Sequence, residues 1–257
     1  RMANGVILED GTKLKFDAVV TSLDPRATFG RLLEEKQIPM PIRTHLKTPI
    51  PPVSSAVVHF ALNSLPSFPV LDSIENGYEA AVLVSPYIEN IIQAQDDTVS
   101  GNLPENPVLT VYFPSVLDPD CAPDGKHLMS VEMHHVPVTN QSNPWTDDNS
   151  QIITQKVIET LEKHCPDLRA SIDASYVISP GHLESRFGIV TRQCGHLPMT
   201  AEYLGERRRM PGCGQHTSVL TGLYQCGAGT FPGSGVSGAP GYNCASVILS
   251  ILKAKKK

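Results

Sequence analysis

Apolar and polar side chains alternate with a period of two from His127 to Val136. The alternation puts Met129, Val131, Met133 and His135 on one face and Ser130, Glu132 and His134 on the other. A strand with one buried face is predicted there, and the adjacent His134 and His135 point oppositely, so they cannot form a two-histidine metal site by themselves. Val53 to Leu62, Val82 to Ser85 and Val108 to Phe113 are β-rich runs bounded by Pro, Gly and Asn, and with the first they predict one mixed or antiparallel sheet. From Asp148 to Cys165 the period changes to that of a helix. Ile152, Ile153, Val157, Ile158 and Leu161 form its stripe, Asp148-x-x-Gln151 reads as a capping box, and Pro166 ends it. A shorter helix is predicted after Ser179-Pro180, with Leu183 and Phe187 turned inward. Residues 188–221 are loop-rich, punctuated by Gly195, Gly205, Pro211, Gly212 and Gly214.

At the other end, Val6-Ile7-Leu8 and Lys13-Leu14-Lys15-Phe16 flank Asp10-Gly11, whose readiness to take positive φ predicts a hairpin. Ala18-Val19-Val20 reads as a short buried strand. Asp24-Pro25 follows as N-cap and first helical residue of a helix through Phe29, Leu32 and Leu33. The five prolines between Ile38 and Pro52 remove backbone donors and fix φ, so this stretch is expected to be a crossover between domains and not an element.

The 257 residues, 40% hydrophobic, suffice for one large domain or two modest ones with a substantial core. A net charge of −5 with scattered basic residues excludes the electrostatic footprint of a nucleic-acid binder. Arg207-Arg208-Arg209 is read as a solvated face, with phosphate binding as the lesser alternative. Cysteines at 121, 165, 194, 213, 226 and 244 offer no C-x-x-C pair, which argues against a zinc knuckle or a redox pair. They are expected to be reduced thiols, with no metal bound. No run approaches 18 consecutive apolar residues, so no transmembrane segment is expected. The chain opens Arg1-Met2-Ala3-Asn4-Gly5 straight into a strand pattern and reads as a piece of a longer protein.

Chemistry concentrates near the C-terminus. Leu223-Tyr224-Gln225-Cys226 predicts a short buried strand, Gly227 to Gly238 a loop, and Ala239 to Leu252 a helix with Ala245, Val247, Ile248 and Ile251 available for packing. Strand, glycine loop and helix together aim free backbone N–H groups at an anionic or electron-rich ligand. Within the loop, Gly233 to Gly238 spells G-x-G-x-x-G. A dinucleotide fingerprint should open a βαβ unit with an acidic residue about 20 positions on, and no acid follows Gly238.

The run Gly227 to Gly241 resembles the C-terminal flavin motif of phytoene-desaturase-like FAD-dependent oxidoreductases, within the wider amine-oxidase group. Gly5 to Gly11, Ala18 to Pro25, Leu65 to Phe68, Pro114 to Pro119 and Ile178 to Gly188 are similar to one branch of that family, so the resemblance covers nearly the whole chain. It implies that the true dinucleotide fingerprint lies in an N-terminal part absent here, and that GSGVSG is a chance match inside a different flavin motif. The implied fold is α/β (α+β): a mixed β-sheet substrate domain flanked by helices at 38–204, with partial FAD-domain segments at 1–37 and 205–257. The implied activity is hydride transfer from a C–C or C–N bond to flavin in the full-length parent, with the fragment inactive and not retaining FAD. Gly227, Ala228, Gly229, Thr230, Gly235, Val236, Gly238 and Ala239 are the residues so implied to line the flavin. Where the family has Gly-Gly-Asn-Ile-Phe-His after its Phe-Gly pair, this chain has Thr191 to His196. Only His196 matches, as a substrate-side candidate. The resemblance further implies a small, apolar substrate, an intracellular setting (mitochondrial matrix in a eukaryote, cytoplasm in a bacterium), and compatibility with a homodimer or protein partner. The alternative is a non-catalytic module of the same fold that binds a protein or lipid.

Overall fold

The alternating run at 127–136 forms the centre of an antiparallel sheet, as its pattern demands. In the computed structural model, which describes residues 1–85, 87–139 and 143–255, the chain first runs β1 (Gly5–Ile7), β2 (Lys13–Lys15), β3 (Val19–Thr21), α1 (Pro25–Gly30), α2 (Met40–Lys47) and β4 (Val53–Leu62). It continues through α3 (Pro69–Asp72), β5 (Val82–Val84), α4 (Ile88–Val99), β6 (Leu109–Tyr112), α5 (Pro114–Leu117), β7 (His127–Pro137) and α6 (Asp147–Leu161). Then come α7 (Leu168–Ser171), β8 (Ile172–Ile178), α8 (Pro180–Phe187), β9 (Leu223–Gln225) and α9 (Ala239–Lys255). Two units result: Pro52–Leu183, and Arg1–Pro51 with Glu184–Lys257.

The Pro52–Leu183 unit is built on five strands in the order β5-β6-β7-β4-β8. Every pairing is antiparallel, the second of the two arrangements the strand runs allow. Val58, Phe60 and Leu62 of β4 and Met129, Val131 and Met133 of β7 are buried on one face. Ile153, Val157 and Leu161 of α6 complete the same core. The cap of this helix lies two residues before the expected Asp148: Thr146 Oγ1 accepts from Asn149 N–H and Asn149 Oδ1 accepts from Thr146 N–H. Asp147 and Asp148 then sit in the first turn, where the helix dipole favours them.

His135 departs from the alternation. Met133 pairs Ala56 and Val136 pairs Ser54, so two residues of β7 oppose one of β4. This bulge, with His135 at φ 58°, turns Val136 into the core in its place. Phe187, expected to face inward with Leu183, is exposed.

In the other unit β1 and β2 form the expected hairpin. β3 and β9 pair in parallel, Val19 with Leu223 and Thr21 with Gln225. Asp24 caps α1, its Oδ1 accepting from Arg26 N–H at 2.7 Å. The proline-rich stretch contains an element after all. Pro41 falls in the first turn of α2, where its missing N–H breaks no helical bond, and Ile42 joins Phe29, Ile38, Met210 and Cys213 in a small core. Residues 38–51 therefore group with the N-terminal segment, and 184–204 with the C-terminal one, whereas the sequence divides the chain at 37/38 and 204/205. Polar ties accompany this grouping: Glu184 bridges Arg31 at 2.8 Å and Arg192 at 2.7 Å. On α9 the inward residues are Cys244, Val247, Ile248 and Ile251, and Ala245 is exposed. Among the described residues no helix is long and apolar enough to cross a membrane.

Candidate functional site

Parallel strands β3 and β9 end side by side, and both chains turn there. Cys226 N–H donates to the Thr21 carbonyl at 2.8 Å, after which Gly227 takes φ 82°. A Cβ on Gly227 would lie 2.7 Å from the Ser22 carbonyl oxygen, so close approach and positive φ together require glycine. Thr230, buried, donates from N and from Oγ1 to the Gly227 carbonyl at 3.1 and 3.0 Å, closing a tight turn. Gly229 is wedged between α1 and the 191–197 loop: a Cβ there would meet Pro25 Cδ at 2.3 Å and His196 Cβ at 3.6 Å.

The loop changes character after the cis Phe231–Pro232 peptide. Gly233 is buried, but Gly235 and Gly238 have no atom within 4 Å of a would-be Cβ, and their φ values are 129° and 70°. Between them Val236 is 108% exposed at φ 46°. A β-branched residue in the left-handed region with no packing to hold it is an outlier of the kind that gathers at ligand sites. At the start of α9, Ala239 N–H donates to Ser237 Oγ at 3.3 Å and Tyr242 N–H to the Gly238 carbonyl at 3.0 Å. Pro240 has no N–H, and the Gly241 N–H lacks an intrahelical acceptor by helix geometry. No carboxylate occurs between Gly227 and Gly241.

The eight loop residues thus fall into two sets. Gly227, Ala228, Gly229 and Thr230 are engaged by the chain's own atoms. Gly235, Val236 and Gly238 are exposed, and Ala239 is half-buried with its N–H held by Ser237 Oγ. His196 lies beside the first set, at φ 62°, its N–H donating to the Gln193 carbonyl at 2.8 Å. Burial pushes its imidazole below the usual histidine range; the Asp24 carboxylate opposes this and the Arg208 guanidinium reinforces it. Asp24, 1% exposed, also accepts from Thr191 N–H at 3.0 Å and so anchors the loop that carries His196.

Arg208 overturns the solvated reading of the tri-Arg run: it is 1% exposed, and only its neighbours Arg207 and Arg209 are at the surface. Sequence reasoning also missed His216, buried under β9 with Nδ1 3.1 Å from the Gln225 carbonyl oxygen. The signal available for both was slight, since charge runs and lone histidines are usually exposed.

In the Pro52–Leu183 unit the polar face of the sheet carries a second cluster. Thr110 Oγ1 lies 2.8 Å from His134 Nε2, Glu132 3.8 Å from His134 Nδ1, and His59 Nδ1 2.8 Å from Ser130 Oγ. Burial lowers the His59 pKa. Among the described residues no group of three or more His, Cys, Asp or Glu could hold a metal ion. A separate cavity of about 300 Å³ in this unit is lined by apolar groups including Phe68, Leu71, Val84, Val111 and Phe113.

Comparison with known proteins gives this geometry a context. The chain is 26% identical over 258 residues to the mouse pyridine nucleotide-disulfide oxidoreductase domain-containing protein 2, covering 98% of this chain and 44% of the relative. The homologues of this chain also include phytoene/prolycopene desaturase-like enzymes. A limonene dehydrogenase component from Castellaniella defragrans is 27% identical, with 93% of this chain and 46% of the relative covered. The chloroplastic prolycopene isomerase of Arabidopsis thaliana is 26% identical, with 99% and 40% covered. The chain therefore spans less than half the length of these relatives. A crystal structure of an oxidoreductase from Methanosarcina mazei shares the fold, with a TM-score of 0.53 and 16% identity over 96% of this chain and 46% of that one. No family model matches the chain.

Proposed function

We propose that a protein containing this chain is an FAD-dependent oxidoreductase that takes hydride from a carbon of a C–C or C–N bond of a small, apolar substrate. The observation that carries this reading is the exposed stretch Gly235, Val236 and Gly238, directly before α9, whose first residue is Ala239, in a chain with phytoene-desaturase-like homologues. The residues present suit the cofactor. Gly235 and Gly238 carry no side chain where a ring must approach, the Gly241 N–H in the first turn of α9 lacks an intrahelical acceptor, and no carboxylate between Gly227 and Gly241 opposes charge on a reduced ring. Bound there, FAD supplies the two-electron acceptor.

Within this reading the two sets of loop residues divide the work. Gly227, Ala228, Gly229 and Thr230 shape the turn, and residues 235–239 meet the cofactor. The segments 1–51 and 184–257 belong to the cofactor domain, and residues 52–183 form the substrate domain. An apolar substrate accords with the relatives named for limonene and prolycopene. The isolated chain, spanning less than half of the relatives, is read as unable to retain FAD, because a ligand of that size needs contacts along its whole length.

The test is Gly235→Asp in the full-length protein. A side chain at 235 meets no neighbour but is strained at φ 129°, so Gly235→Ala, which brings the same strain without the charge, is the control. Both variants are expected to stay folded by circular dichroism, and the aspartate to lose more flavin absorbance than the alanine, as its charge sits where an electron-rich ring must approach. A wild-type protein without flavin, or an aspartate variant with normal flavin content, would overturn the reading.

A further inference from the structure

Arg208 carries a buried charge without a carboxylate partner among the described residues. Taking a guanidinium out of water costs several kcal/mol unless its donors are satisfied, and here they are met by main-chain carbonyls. Nε and Nη2 donate to the Ala228 carbonyl at 2.9 and 2.7 Å. Nη2 also donates to Gly195 and Leu197 at 2.7 and 3.2 Å. Nη1 donates to Pro198 and Tyr203 at 3.0 and 3.3 Å and to Met199 Sδ at 3.4 Å. The glycine loop also lies over the group: a Cβ on Gly233 would be 3.4 Å from Arg208 Cζ. One side chain therefore grips the loop around His196 from both flanking peptides and the glycine-rich turn at 228 and 233. Only a planar fork with five N–H donors can do this; an ammonium has three donors and no plane.

We propose that Arg208 is a positioning residue that sets the His196 loop and the 227–233 backbone in fixed relation to each other. The role rests on the functional reading of the glycine loop above, and extends it by naming the group that couples the histidine to that loop. The charged groups acting on His196 are the Arg208 guanidinium and the Asp24 carboxylate. With the cation removed, the carboxylate is left to act alone. The imidazole then gains a proton at higher pH, provided the loop stays in place.

The experiment uses the chain without cofactor, so that its failure and that of the flavin reading are distinguishable. Arg208→Lys keeps the charge and loses the fork; Arg208→Met keeps the length and loses the charge. Amide exchange by mass spectrometry is expected to accelerate tenfold or more in 195–203 and 227–233 of the lysine variant, with the sheet residues of 53–62 and 127–137 unchanged. The His196 ring signal, assigned by loss in His196→Gln, is expected to titrate at higher pH in the methionine variant. Unchanged exchange in both loops, an unmoved His196 titration, or global unfolding of the lysine variant would each overturn the proposal. Global unfolding counts against it because the residue would then support the whole unit and not this one junction. Absence of flavin in the full-length protein would sink only the functional reading.

Discussion

Replacing Gly229 by alanine adds one methyl group where the structure leaves no room. The new Cβ would sit 2.3 Å from Pro25 Cδ and 2.6 Å from Cγ, well inside carbon–carbon contact distance near 3.5 Å. The obstacle cannot swing away, because the proline ring is fixed to the first turn of α1, whose cap Asp24 is itself tied to Arg26 and Thr191. Relief must come from moving α1 or the turn, and overpacking of this kind costs about 1–3 kcal/mol. Gly241 is the internal control. It lies in the first turn of α9 with nothing within 4 Å of its Cβ position, so alanine there is expected to be neutral or to stabilise by up to about 1 kcal/mol. Because the single tryptophan, Trp145, lies in the Pro52–Leu183 unit, its fluorescence would miss the effect. Hydrogen exchange in peptides spanning 19–30 and 223–231 reads it directly. For Gly229→Ala the cost corresponds to exchange about 5- to 150-fold faster at 1.4 kcal/mol per decade. Exchange within twofold of wild type would refute the reasoning that the glycine is there for packing.

Other outcomes follow from the same structure. Phe60→Ala, at a fully buried position of β4, should destabilise the Pro52–Leu183 unit by about 3–5 kcal/mol, measured by urea unfolding with Trp145 fluorescence. Burial raises the Glu184 pKa, but its bonds to Arg192 and Arg31 outweigh this and leave it below the usual 4.5. Its contribution, about 1 kcal/mol or less at 28% side-chain exposure, is therefore fully present above pH 4.5 and lost as pH falls through the lower folded value. The stability gap between wild type and Glu184→Gln should close over that acidic range in urea titrations and stay constant at neutral pH. Burial pushes the Cys244 thiol up to about 11. Alkylation of the folded chain should accordingly reach exposed Cys121 and Cys194 before buried Cys165, Cys213 and Cys244, and all six should react in denaturant without reductant; a count of four or fewer would contradict the reduced state.

Local pattern determined much of this chain. Period-two alternation at 127–136, the β-rich run 53–62, Asp10-Gly11 and Asp24-Pro25 each specify their element through short-range sterics and burial. The strands, the hairpin and the start of α1 formed where expected, whereas the alternation breaks at His135 and α1 stops at Gly30 without reaching Leu32 and Leu33. The strand, glycine loop and helix at 223–255 were legible for the same reason. Tertiary structure decided what depends on neighbours distant in sequence. The bulge at His135 arises from registration against β4, and α2 persists among prolines because Ile42 finds Phe29 and Met210. Which glycines serve packing and which stand open is likewise invisible in the string of letters, since it depends on Ser22 and Pro25, about two hundred residues away from Gly227 and Gly229. Arg208 is the sharpest case: a run of three arginines reads as a solvated face, and only the folded arrangement of carbonyls from 195–203 and 228 gives the middle one a buried place.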